Sequence, residues 1–91
     1  MRFEWDSRKA RLNLRKHGVS FEEAATVFLL DELSVTTADP DHSDRENRFI
    51  TVGLSAKTRL LTICYTGRGE FIRIISARAA TKHEREIYEE H

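Results

Sequence analysis

Three segments rich in aromatic and β-branched residues follow one another with almost nothing between them: NRFITVGLS (Asn47–Ser55), RLLTICYT (Arg59–Thr66) and EFIRIISA (Glu70–Ala77). Connections as short as AKT and the glycine-bearing turn GRGE (Gly67–Glu70) leave no length for a crossover, so consecutive strands must lie side by side and antiparallel. The chain is thereby committed to a β-meander. LSVTT (Leu33–Thr37) reads as a further strand ahead of it, and RFEW (Arg2–Trp5) as a short edge strand.

Between those strands the apolar residues fall at helical spacing. Asp6 or Ser7 can cap a helix through RKARLNLRKH, with Ala10, Leu14 and His17 on one side and Leu12 beside them. Lys16 and His17 suit the negative end of the helix dipole, and Gly18 supplies a left-handed stop. SFEE (Ser20–Glu23) is a capping box, opening a second helix whose apolar face is Phe21, Ala24, Ala25 and Phe28. TKHE (Thr81–Glu84) is another, opening a C-terminal helix with Ile87 and Tyr88 as apolar contacts. The expected order is β-α-α-β-β-β-β-α: an α+β domain, an antiparallel meander with two N-terminal helices and a C-terminal helix, over residues 1–91. The helices should cover one sheet face and leave the other free to bind.

The totals exclude several classes. Ninety-one residues hold one core, and a domain of this size buries only about 60–65% of its unfolded surface. No apolar run reaches the ~20 residues that span a bilayer, and MRFEWDSRKA has no signal-peptide core, so a cytoplasmic setting is expected. The single cysteine, Cys64, sits in a strand and allows neither a disulfide framework nor a cysteine metal site. His17, His42, His83 and His91 do not stand in metal-ligand spacing, so no metal and no cofactor is expected. The net charge is zero, yet residues 1–20 carry +4, residues 21–47 carry −7, residues 48–85 carry +6 and residues 86–91 carry −3. Two basic blocks can therefore share a face.

The strands of the second basic block carry arginines among apolar residues: Arg48 and Arg59 at strand starts, Arg73 within a strand, Arg78 just beyond it. Strict alternation puts Arg73 with Phe71 and Ile75, and Ile72 with Ile74 on the other face. One account is that Arg73 snorkels, or pairs with a carboxylate of the acidic segment. Taken with Lys57, Arg68, Lys82 and Arg85, the set reads as an anion-binding surface. Arginine is planar, permanently charged and bidentate toward phosphate, but it is a poor proton carrier. His42, His83 and His17 are the candidates for that task. Tyr88 and Trp5 could stack on bases, whereas Tyr65 reads as strand core.

FEWDSRKARLNLRKHGVSFEEAATVF, DPDHSDRENRFITVGLS and RLLTICYTGRGEFIRIISARAATKHEREIYE together resemble the BrnT family of bacterial toxins over nearly the whole chain. NLRKHGVSFEEA and IRIISARAATKHERE are the most specific pieces. The resemblance implies a RelE-like fold and a metal-independent ribonuclease that halts translation. Together with the residue reading, it leads to Arg78, Arg73, Arg48 and His42 as the expected catalytic residues, with Arg59, Lys57, Lys82, Arg85 and Tyr88 expected to bind RNA. It further implies a cognate BrnA-like antitoxin with a ribbon-helix-helix domain, in a heterotetramer or larger complex that reaches operator DNA through the antitoxin.

Two other functions are compatible with the residues. The arginines could serve only to hold a protein partner, making the chain a binding module without chemistry. Alternatively Arg8, Lys9, Arg11, Arg15 and Lys16 could contact duplex DNA directly, although no helix here carries a dense basic stripe with polar base-readers.

Overall fold

The computed structural model describes residues 1–39 and 47–90. Its elements are β1 (Arg2–Glu4), α1 (Ser7–His17), α2 (Phe21–Leu30), β2 (Val35–Ala38), β3 (Arg48–Leu54), β4 (Leu60–Arg68), β5 (Phe71–Ala79) and α3 (Lys82–Glu90), in the expected order. β2 through β5 pair in succession as antiparallel neighbours. β1 adds to the far edge, parallel to β5, with Arg2 opposite Phe71 and Glu4 opposite Arg73. The sheet is therefore mixed, in the order β1-β5-β4-β3-β2. α1 and α2 carry the chain from one edge of it to the other.

The caps follow from local chemistry. Asp6 Oδ1 accepts from the amides of Arg8 (2.8 Å) and Lys9 (3.0 Å), which opens α1. Gly18 closes it at φ 68°, donating its N–H to the Leu14 carbonyl. Ser20 Oγ accepts from the Glu23 amide at 3.0 Å. The reciprocal half of that capping box is missing, because the Glu23 carboxylate turns inward to Arg59. At α3 the box is complete: Thr81 Oγ1 accepts from the Glu84 amide, and Glu84 Oε1 accepts from the Thr81 amide.

One sheet face packs on α1 and α2. Val19, Phe21, Ala24, Val27, Leu61, Ile63 and Ala77 are fully buried there, flanked by Phe3, Trp5, Phe28, Tyr65 and Ile72. The packing is tight at Gly53, where an added Cβ would lie 2.5 Å from Val27 Cγ1. α1 contributes differently from its expected apolar side. Leu12 and Leu14 are about half exposed, and the buried residue is Asn13. Beyond Arg73 the β1-side edge of β5 is open, and the Asn13 amide fills the place of a neighbouring strand. Its Nδ2 donates to the carbonyls of Ala77 (2.8 Å) and Val19 (2.9 Å), and its Oδ1 accepts from the Ala77 N–H (3.1 Å).

Two departures from the sequence reading decide what the other face presents. First, β5 contains a bulge. Cys64 pairs with Ser76 but Tyr65 pairs with Ile74, leaving Ile75 as an extra residue. Arg73 and Arg78, five positions apart, would point to opposite faces of an unbroken strand. With the bulge they oppose Thr66 and Thr62 of β4, so both lie on the face away from α1 and α2. Second, α3 is not on the helix side. Its Glu84 accepts from Thr62 Oγ1 at 2.8 Å and binds Arg78, so α3 lies across the face expected to be bare. One turn on, the Tyr88 hydroxyl donates to Asp31 Oδ2 at 2.8 Å. α3 has no buried residue of its own and is held by these polar anchors.

Candidate functional site

The cross-strand register brings a short row of side chains together on the open face. Glu4 of β1, Arg73 of β5, Thr66 of β4 and Arg48 of β3 are successive register partners. Neighbouring strands lie about 4.8 Å apart. Arg48 and Arg73 therefore flank Thr66 closely enough for two long guanidinium side chains to converge on one group. A second row lies beside it: Arg2, Phe71 and Arg68. The Arg2 guanidinium sits 6.0 Å from the Phe71 ring centroid, at the outer limit of a cation–π contact. Arg68 and Arg73 each place Nη1 at 3.4 Å from Glu4 Oε2. Thr66, Gly67, Arg68 and Arg73 line an open recess of about 270 Å³.

Two arginines, Arg68 and Arg73, thus line the recess, with Arg2, Arg48 and Glu4 as register neighbours on the same face. Guanidinium forks can grip a phosphodiester from two sides. Phe71 offers a flat apolar ring on which a splayed base can stack. Among the described residues, the carboxylate that Arg73 pairs with is Glu4 of β1.

Arg78 shares the face but not the row. Its partner Thr62 is four residues from Thr66 along β4, about 13 Å at strand rise. It is also engaged: Nη1 reaches Glu84 Oε1 at 2.7 Å and Nη2 reaches Oε2 at 3.0 Å. That fork, with donors from Thr81 and Thr62, holds the Glu84 carboxyl at about 2 against an ordinary 4.5. A depressed carboxyl contributes stability that is complete above the ordinary value and lost as pH falls through the folded value. We expect α3 to loosen progressively between pH 4.5 and pH 2, read as averaging of the Tyr88 ring resonances. Glu84→Gln should show the same loosening already at pH 7.

The remaining predicted residues are dispersed. Arg59 lies on the helix side, where its Nε donates to Glu23 Oε2 at 2.9 Å, its Nη2 also binds Glu23 Oε1, and Nη2 reaches the Gly18 carbonyl at 3.0 Å. Glu23 is 2% exposed at its side chain, and Ser55 Oγ donates to it at 2.7 Å. The Arg59 bond lowers its carboxyl pKa despite burial. Arg59 thus forms a clasp between α2 and the β3–β4 turn and gives the buried Glu23 carboxylate its partner. Lys57, in that turn, adjoins Ser20, Glu22 and Thr26 on the same side. Lys82, His83 and Arg85 are exposed on α3, and His17 is exposed at the end of α1. Tyr88 is tied to Asp31, which raises its hydroxyl pKa. Trp5 is packed edge-on against Phe21 at 5.9 Å, away from the row, while Tyr65 joins the core against Phe28 at 5.0 Å, as its strand context suggests. His42 lies outside the described residues.

The sequence reading missed Glu4, Phe71, Thr66 and Arg2. Their signal was weak: RFE alternates one apolar residue between two charges, but nothing local says which strand it joins. Among the described residues no three His, Cys, Asp or Glu gather as metal ligands, and no helix is long and apolar enough to cross a membrane.

The family described as the ribonuclease toxin, BrnT, of type II toxin–antitoxin systems matches residues 5–84. Comparison with curated proteins by sequence returns no match. Among solved structures, the crystal structure of the Brucella abortus ribonuclease toxin, BrnT, superposes with a TM-score of 0.65 at 22% identity, over 90% of this chain and 99% of that one.

Proposed function

Because the chain belongs to the BrnT family of ribonuclease toxins of type II toxin–antitoxin systems, we propose that it cleaves RNA on the sheet face carrying Arg48, Thr66 and Arg73. The observation that carries this reading is the row itself: two arginines brought to either side of one β4 residue, beside an open recess. RNA carries its own nucleophile. The 2′-hydroxyl attacks the adjacent phosphorus once it is aligned, and the charge that develops on the pentavalent phosphorus must be stabilised. Arg48 and Arg73 supply the positive charge that stabilises it, which makes a metal-independent reaction sufficient. Arg78, Lys82 and Arg85 extend the positive surface toward α3 and bind the flanking strand when Arg78 exchanges Glu84 for phosphate. His42, six residues before Arg48 in the sequence, is the candidate to relay protons to and from solvent.

On this reading the chain inhibits translation in the cytoplasm. It is neutralised by a BrnA-like ribbon-helix-helix antitoxin, which covers the basic face and carries the complex, a heterotetramer or larger, to operator DNA. The test uses the purified chain and a short single-stranded RNA in the presence of EDTA. The expected result is cleavage to a 2′,3′-cyclic phosphate, abolished when the 2′-hydroxyl at the cut site is replaced by hydrogen. Intact RNA under all conditions, with antitoxin binding retained, would instead support the binding module without chemistry.

A further inference from the structure

A row of arginines can hold a phosphate but cannot take a proton at neutral pH. Glu84, Asp39 and Glu4 are described carboxylates whose neighbours lie on the same face. Glu84 is saturated by the Arg78 fork, the Thr62 hydroxyl and the Thr81 amide. Asp39 is only 7% exposed and sits against the Cys64 thiol at 3.8 Å. Glu4 is different. Its side chain is 30% exposed, it stands in the row beside Arg73, and both arginine contacts fall on Oε2. Among the described residues, the Arg73 hydrogen bond to Glu4 is made at Oε2. The contacts are long, 3.4 Å each, so the carboxylate is oriented without being fully consumed.

We propose that Glu4 is the general base of the cleavage reaction, accepting the 2′-hydroxyl proton at Oε1. The inference rests on the ribonuclease reading above. A phosphate gripped by Arg73 places the adjacent ribose within reach of the residue that already touches that guanidinium, and the 2′-oxygen lies next to the phosphorus in the chain. The O2′–H bond breaks and its proton passes to Glu4; O2′ bonds to phosphorus; the P–O5′ bond breaks. The 5′ oxygen takes a proton from water, and the hydroxide so formed is neutralised by the proton that Glu4 returns to solvent. Arg68 of β4 and Arg73 of β5 hold the carboxylate in place on the face that carries the recess.

The test compares the wild-type chain with Glu4→Gln and Glu4→Asp, on a cleavable RNA and on the same RNA bearing a 2′-methoxy group. Glu4→Gln should lower kcat by about 10²–10⁴-fold, the span of general acid–base contributions. It should bind the methoxy RNA as well as wild type or more tightly, since a negative charge beside the phosphate is gone. Glu4→Asp, which keeps the carboxylate on a shorter stem, should retain part of the activity. The acid limb of the wild-type pH–rate profile should be absent in Glu4→Gln. A wild-type chain that cuts while Glu4→Gln cuts equally well, or keeps the acid limb, assigns the base to another group and overturns the proposal alone. A wild-type chain that never cuts overturns the ribonuclease reading and this proposal with it. Should Glu4→Gln fail to fold, equal activity in wild type and Glu4→Asp across the pH range would count against a positioned base.

Discussion

Arg73→Ala is expected to lower RNA cleavage by about 10²–10³-fold, the loss seen when one donor to a developing anion is removed from a preorganised site. The fold should barely notice. The Arg73 side chain is 35% exposed and its ion pair with Glu4 is 3.4 Å long, and such surface pairs are worth about 0–1 kcal/mol. Arg73→Lys keeps the charge but loses the planar fork, so it should recover only part of the rate. The measurement is single-turnover cleavage alongside a thermal melt of each variant. A variant that melts normally and cuts at the wild-type rate would remove Arg73 from the site. Arg78→Ala is a less decisive experiment. It strips the partner from Glu84 and loosens α3 as well, so lost activity would have two causes.

The largest structural effect is expected at Asn13. Its amide makes three buried bonds, two of them to the N–H and carbonyl of Ala77. Asn13→Ala leaves those backbone groups and the Val19 carbonyl without partners, at about 1–3 kcal/mol for each group that water does not reach. We expect a net loss of about 3 kcal/mol, a large share of the roughly 5–15 kcal/mol that holds a small domain together. At about 4–8 °C per kcal/mol for this chain length, the melting temperature should fall by about 12–24 °C. Circular dichroism on heating reads it directly. A fall of less than about 4 °C would mean that water replaces the amide at the strand edge. Asn13→Asp should not rescue, since an ionised carboxylate accepts but cannot donate to the two carbonyls.

What the sequence disclosed and what it concealed divide by range. Caps and turns are local chemistry, so Gly18, Ser20, Thr81 and the hairpin at Gly69 were readable, as were the meander and the class of fold. The site depended on distant pairings. That β1 runs beside β5, and so sets Glu4 against Arg73, is a link across most of the chain. That Glu23 abandons its capping role for Arg59 follows from burial, which no spacing rule reports. Arg59 and Arg73 look alike in the sequence, each an arginine beside apolar residues. The fold gives one to a buried carboxylate and the other to an open recess. α3 was placed correctly along the chain but on the wrong side, because its inward residues, Glu84 and Tyr88, are polar and carry no apolar stripe to announce a docking face.

The extra residue in β5 also has a bearing on chain length. The halves of the strand before and after Ile75 are out of phase by one position. A deletion at that point would remove the bulge and leave Arg73 and Arg78 four positions apart, still opposite Thr66 and Thr62 and on one face of a regular strand. Straightening the strand with the residue kept would instead turn one half over and carry Arg73 or Arg78 to the side of α1 and α2, where the space is already filled. Whether the two guanidinium groups share a surface thus depends on one residue standing outside the ladder, not on what its side chain does.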